Sequence, residues 1–158
     1  MNPHEQKFYL TQEGIQRIQQ EYKSLTELKR TKLQEAGPER VRYTDEPDPE
    51  CLSFQEELEE YNSRLATYEI ILKNAVPIAA PRTQDAKRIV GLGAKVMVRV
   101  NRSVHVLTIV GPLEADPSSG KISNECPVGK ALLGRRMGET IMFGTPEKTI
   151  YKVIKIIY

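Results

Sequence analysis

The sequence predicts an α+β protein in two parts. The first is an N-terminal antiparallel two-helix coiled-coil hairpin. The second is a small C-terminal domain on a mostly antiparallel sheet with one short helix. Three observations carry this. Apolar residues step by three and four through the first half of the chain. A stretch rich in Gly and Pro, residues 37–50, interrupts that stepping. Beyond Arg82 the apolar period shortens to two, with turn residues between the runs. The expected division is a hairpin domain over 1–80, with its tip loop at 37–50, and a globular domain over 81–158.

The first helix is expected from Thr11 to about Ala36. Thr11 is a plausible N-cap, but Gly14 stands where a capping box wants Glu or Gln, which weakens the box. Ile15, Ile18, Tyr22 and Leu25 form a heptad stripe, and Leu28 and Leu33 continue it less regularly. The second stripe is cleaner: Phe54, Leu58, Tyr61, Leu65, Tyr68, Leu72 and Ala75 alternate steps of four and three. Ser53 is the expected cap, Glu56 its box partner, and Pro77 and Pro81 the stop. Two helices of ~25 residues are ~37 Å long at 1.5 Å per residue. Joined by a short loop, they pair antiparallel along their stripes.

Residues 82–93 read as a linker leading into a strand. Lys95–Val100 and His105–Val110 alternate polar and apolar residues around a hairpin-sized Asn101-Arg102-Ser103. A loop runs from Gly111 to Gly120, and Ile122-Ser123 begins a short strand. Pro127–Leu133 is a brief helix stopped at Gly134, and Thr140–Phe143 and Thr149–Tyr158 are the last two strands.

A net charge of +2 over 158 residues hides an uneven distribution. Residues 1–80 carry 10 basic and 15 acidic side chains, and residues 81–158 carry 13 and 6. The excess is localised further: residues 1–43 are net +2 and residues 44–80 net −7. The acids gather at the tip and in the second helix.

Several chemistries are excluded. No apolar run approaches the ~20 residues of a membrane span, and the N-terminus does not read as a secretory signal. Cys51 and Cys126 are expected to be reduced thiols of a cytoplasmic protein. Two histidines and two distant cysteines make no zinc site. There is no phosphate-binding glycine loop. His105 has no nucleophile or carboxylate placed to work with it and reads as structural.

The stretches Ile109-Val110-Gly111, Glu114-Ala115-Asp116, Gly120-Lys121-Ile122-Ser123 and Pro127-Val128-Gly129-Lys130-Ala131-Leu132-Leu133-Gly134 resemble the bacterial GreA/GreB transcript-cleavage factors. Their pattern is roughly IVG-x-x-EAD, then G-x-IS-x-x-SP-x-G-x-ALLG. Leu10-Thr11-x-x-Gly14 resembles that family's opening, and Asn74-Ala75-x-x-Ile78 the end of its second helix. Cys126 stands where the family has Ser.

The resemblance implies an FKBP-like head without an isomerase site. It implies a transcription elongation factor that docks on bacterial RNA polymerase at the rim of the secondary channel, through Glu125 and Pro127. The hairpin would pass down the channel to the 3′ end of the nascent RNA. Tip acids would help hold a second Mg²⁺ shared with the polymerase active site, and that ion would activate water for hydrolysis of backtracked RNA. The factor would be an accessory and not itself an enzyme, a monomer, with no metal stably bound alone.

The family tip reads close to D-L-x-E-N-A-E-Y, whereas this chain has Thr44-Asp45-Glu46-Pro47-Asp48-Pro49-Glu50. Asp45 and Asp48 keep the acid–x–x–acid spacing and are the expected Mg²⁺-directed pair, with Glu46 and Glu50 as alternates. Arg40 and Arg42, with Lys29, Arg30 and Lys32 further back, are candidates for RNA phosphates. The alternative function is a channel-binding regulator that inhibits the polymerase without stimulating cleavage.

Overall fold

The computed structural model describes residues 7–40, 49–143 and 149–158. They form two compact units, Ile15–Asn74 and Lys7–Gly14 with Ala75–Tyr158. The expected boundary at residue 80 is thus displaced. The reason is a two-stranded parallel sheet: β1 (Phe8–Leu10) pairs with β2 (Ala75–Pro77), Phe8 opposite Ala75 and Leu10 opposite Pro77. Leu10 is fully buried there, and its carbonyl accepts from the Ile78 N–H at 2.7 Å. Ala75, expected at the end of the helical stripe, begins β2 instead.

The first unit is helical. α1 (Gln12–Arg40) breaks at Gly37 (φ 69°, ψ 171°), next to the expected stop, and resumes its helical turn to Arg40. α2 (Pro49–Lys73) starts four residues before the expected Ser53 cap. Pro is well suited to a first helical position, and the Ser53 hydroxyl donates to the Glu50 carbonyl from within the helix.

The helices are antiparallel: Glu21 and Tyr22 meet Tyr68 and Glu69, while Lys29 meets Asn62 and Lys32 meets Glu57. The α2 stripe holds from Phe54 to Leu72, every position buried or half-buried. On α1 the stripe departs from expectation. Ile18 and Leu25 are buried, but Leu28 is exposed. Alternating steps of three and four lead from Leu25 to Lys29, Lys32 and Ala36, all half-buried.

The second unit carries a five-stranded sheet of order β5-β4-β3-β7-β6. Its strands are β3 (Lys95–Val100), β4 (Ser103–Val110), β5 (Lys121–Ser123), β6 (Thr140–Phe143) and β7 (Thr149–Ile157). Only β4–β5 is parallel. Asn101 takes a left-handed φ of 56° in the β3–β4 turn, a conformation Asn tolerates.

One sheet face is covered by α3 (Pro127–Leu132), whose Leu132 packs with Val96, Val98, Ile109, Ile141 and Val153. Val90 joins this core, and its N–H donates to the Arg135 carbonyl. The stretch expected as a linker is therefore partly core. His105 is not the packed histidine expected; it lies exposed on β4.

The motif Glu114-Ala115-Asp116 has a structural role. Glu114 is buried, and its carboxylate accepts from the Thr11 backbone N–H (2.6 Å) and the Thr11 hydroxyl (2.5 Å). Thr11 Oγ1 in turn accepts from the Gly14 N–H at 3.0 Å, the N-cap bond of α1. The reciprocal half of the capping box is thus supplied by Glu114, and Gly14 makes room for it. A Cβ at position 14 would lie 2.2 Å from Glu114 Oε1. Asp116 accepts from the Ser118 N–H and hydroxyl, which hold its carboxyl below the ordinary range and fix the turn leading into β5.

Candidate functional site

The turn from β5 into α3 presents the predicted docking residues. Glu125 and Pro127 are both exposed, on either side of half-buried Cys126. Local hydrogen bonds from backbone N–H groups hold the turn. Ser123 Oγ accepts from the Glu125 N–H at 3.1 Å, and the Ser123 carbonyl accepts from the Cys126 N–H at 3.2 Å. Cys126 Sγ accepts from the Gly129 N–H at 3.2 Å, so the cysteine still fills the capping role of a serine, as a weaker acceptor. Gly129 is required by close approach: a Cβ there would meet the Ser123 carbonyl oxygen at 2.0 Å.

Of the tip residues, Arg42, Asp45, Glu46 and Asp48 lie outside the described residues. Arg40 is the last residue of α1, and Glu50 is exposed in the first turn of α2. Glu50 borders an open cleft of about 660 Å³ between the two helices, together with Lys32, Glu35, Phe54 and Glu57. Among the described residues no group of three or more His, Cys, Asp or Glu is placed to hold a metal.

The lysines behind the tip are drawn away from the phosphate role considered for them. Lys29 Nζ donates to Asn62 Oδ1 and Lys32 Nζ to Glu57 Oε1, both at 2.5 Å, and the Tyr61 hydroxyl donates to Glu57 Oε1 at 2.8 Å. The helix interface thus changes from apolar to polar toward its tip end. A buried or half-buried polar rung fixes the register of paired helices at a cost in stability. Lys29→Leu is therefore expected to raise the melting temperature by a few degrees, because exposed Asn62 regains water. Thermal unfolding followed by circular dichroism checks this, and a lower melting temperature contradicts it.

The same rung has a titration signature. The Lys32 hydrogen bond, then that of Tyr61, holds the Glu57 carboxyl below its ordinary value of 4.5. The depressed value means stability is present above about 4.5 and is lost as pH falls through the folded value. Lys32 is raised above 10.5 by the same bond, so its contribution is complete below 10.5 and is lost as pH rises through its folded value. An NMR titration of Glu57 should give a midpoint below 4.5 that returns toward 4.5 in Lys32→Met. A midpoint at or above 4.5 in the native chain contradicts the rung.

Residues 85–158 match the family model of the transcription elongation factor GreA/GreB C-terminal domain. The chain is 32% identical over 142 residues to transcription elongation factor GreA of Thermomicrobium roseum, covering 89% of this chain and 90% of that one. It is 35% identical over 152 residues to GreA of Acetivibrio thermocellus, covering 93% and 94%. The chain belongs to the GreA/GreB family of transcription elongation factors. Among solved structures it is similar to GreA factor homolog 1 (Gfh1) of Thermus thermophilus, at 27% identity over 97% of this chain and 100% of that one, with a TM-score of 0.41.

Within this Gre-family chain, the sequence marks at Thr11, Gly14 and Glu114 are one hydrogen-bonded clasp. Glu125 and Pro127 are among the exposed residues of the head motif, with Ala115, Asp116, Lys130 and Gly134. No helix among the described residues is long and apolar enough to cross a membrane.

Proposed function

We propose that this elongation factor binds bacterial RNA polymerase at the secondary channel and stimulates the polymerase's own cleavage of backtracked RNA. The observation that supports this best is the near whole-length similarity to GreA relatives, hairpin and head together. Glu125 and Pro127 are the docking pair: a carboxylate beside an exposed ring offers one charged and one apolar contact on a turn that costs little entropy to immobilise.

Asp45 and Asp48 are the acids directed at Mg²⁺, with Glu46 and Glu50 as alternates. Hard carboxylate oxygens are the donors Mg²⁺ takes, and the net −7 of residues 44–80 favours a cation there. The shared ion supplies Lewis-acid activation of water for phosphodiester hydrolysis. This chain contributes the carboxylates that orient it, and Arg40 and Arg42 contact RNA phosphates. The polymerase provides the rest of the site, so the chain acts as an accessory and not as an enzyme.

One observation favours a second reading, inhibition without cleavage. The tip lacks the Leu, Asn, Ala and Tyr of the family motif and carries Pro47 and Pro49. The test is addition of the protein to a stalled, backtracked polymerase complex with Mg²⁺. Shortening of the RNA from its 3′ end supports cleavage. Unshortened RNA with slowed nucleotide addition supports inhibition.

A further inference from the structure

The face of the five-stranded sheet opposite α3 is buried at one end, at Val110, but is largely exposed along the described residues of β3, β6, β7 and the first half of β4, and its composition there is one-sided. Residues facing each other across antiparallel strands share a face, so the registers give its content. β3 contributes Lys95, Met97 and Arg99, and β4 contributes Val104, Val106 and Thr108. β7 contributes Ile150, Lys152, Lys155 and Ile157, and β6 contributes Thr140 and Met142. Val104 (49%), Val106 (48%), Ile150 (48%) and Met142 (66%) are all exposed. No acidic residue stands on these positions. Arg99 lies directly opposite Lys152, an arrangement that costs stability in a free sheet.

A solvated sheet face needs polar residues but gains nothing from a like-charged pair set among exposed valines. We propose that this face is a second docking surface, and that its occupant is an acidic amphipathic helix of the transcription machinery. The proposal rests on the reading that the chain binds RNA polymerase. It places a contact on the side of the sheet away from Glu125 and Pro127.

Charge complementarity names the occupant. The face offers apolar strips, Val104, Val106 and Met97 on one side and Ile150 and Met142 on the other, divided by cations. A helix with a narrow apolar stripe flanked by Asp and Glu fits that pattern. A nucleic acid fits it less well. Single-stranded binders stack bases on aromatic rings, and the outward positions above hold no aromatic residue.

The test separates stability from binding. Arg99→Glu turns the like-charged pair with Lys152 into an opposite-charged one, so the melting temperature should hold or rise. The dissociation constant for core RNA polymerase should nevertheless rise about tenfold at 0.1 M salt, the scale of lost charge complementarity. Val104→Ser with Val106→Ser should weaken binding similarly. An unchanged dissociation constant in these variants overturns the second surface, and loss of binding in Pro127→Ala shows that the polymerase reading still stands. If the unaltered protein fails to bind polymerase, that reading falls and this one with it. Binding of a labelled single-stranded RNA that disappears in Arg99→Glu assigns the face to nucleic acid and overturns the helix occupant.

Discussion

Gly14→Ala is expected to destabilise the sheet-bearing unit by about 3 kcal/mol, the scale of losing a buried, charge-assisted hydrogen-bonded pair. The cause is the Glu114 carboxylate, which an added Cβ would overlap at 2.2 Å. A flexible side chain could ordinarily swing aside. This one is held by two hydrogen bonds from Thr11, so moving it gives up both and strands a buried carboxylate. Glu114→Ala should cost a similar amount. In a unit of this size about 3 kcal/mol lowers the melting temperature by roughly 12–24 °C.

The two substitutions are not additive. Once Glu114 is Ala, the space beside residue 14 is empty, and Gly14→Ala gains helix propensity of up to about 1 kcal/mol. The sign of the same substitution therefore reverses with the background. Chemical denaturation of the four proteins of this cycle measures it. Destabilisation by Gly14→Ala in both backgrounds would show that the clasp is not the reason for the glycine.

The largest functional effects are expected at the tip. Asp45→Ala or Asp48→Ala should lower stimulated RNA cleavage by about two to three orders of magnitude, the several kcal/mol that a correctly held metal contributes to a phosphoryl transition state. Affinity for polymerase should be unchanged, because the proposed docking residues Glu125 and Pro127 are left intact. Competition with the unaltered factor measures affinity, and single-turnover cleavage of labelled RNA measures activity. Asp45→Ala with full activity moves the role to Glu46 or Glu50, the alternate acids. Loss of affinity together with activity would instead make the tip part of the docking surface.

The legible parts of the fold are those where one local period dominates. The α2 stripe from Phe54 to Leu72 follows its sequence spacing, and so does the β3 alternation, whereas burial along β4 rises toward one end and the β3–β7 register shifts between Met97 and Val98. The α1 stripe was legible only while it stayed apolar. Past Leu25 its positions pass to Lys29 and Lys32, and a count of apolar residues slides to Leu28 instead. The start of α2 was masked by competition between two valid signals, Pro49 as a first residue and Ser53 with Glu56 as a box.

Other features were invisible because their causes are distant in sequence. β1 and β2 are three residues each, and only their mutual pairing makes them strands. Gly14 looks like a defect in a capping box until Glu114, 100 residues away, is placed beside it. Of the candidate site, Glu125 and Pro127 are singled out by a family motif, and both are exposed. The cationic sheet face was not legible, because its cations come from different strands and meet only through the register.

The proposed role of the tip acids is to serve Mg²⁺ in the polymerase active site. The most direct measurement is the rate of RNA cleavage by a backtracked complex as a function of Mg²⁺ concentration, with and without this factor. The factor should lower the Mg²⁺ concentration for half-maximal cleavage, and Asp45→Ala with Asp48→Ala should restore the value of polymerase alone. An unchanged midpoint, or slower cleavage at every Mg²⁺ concentration, would contradict it.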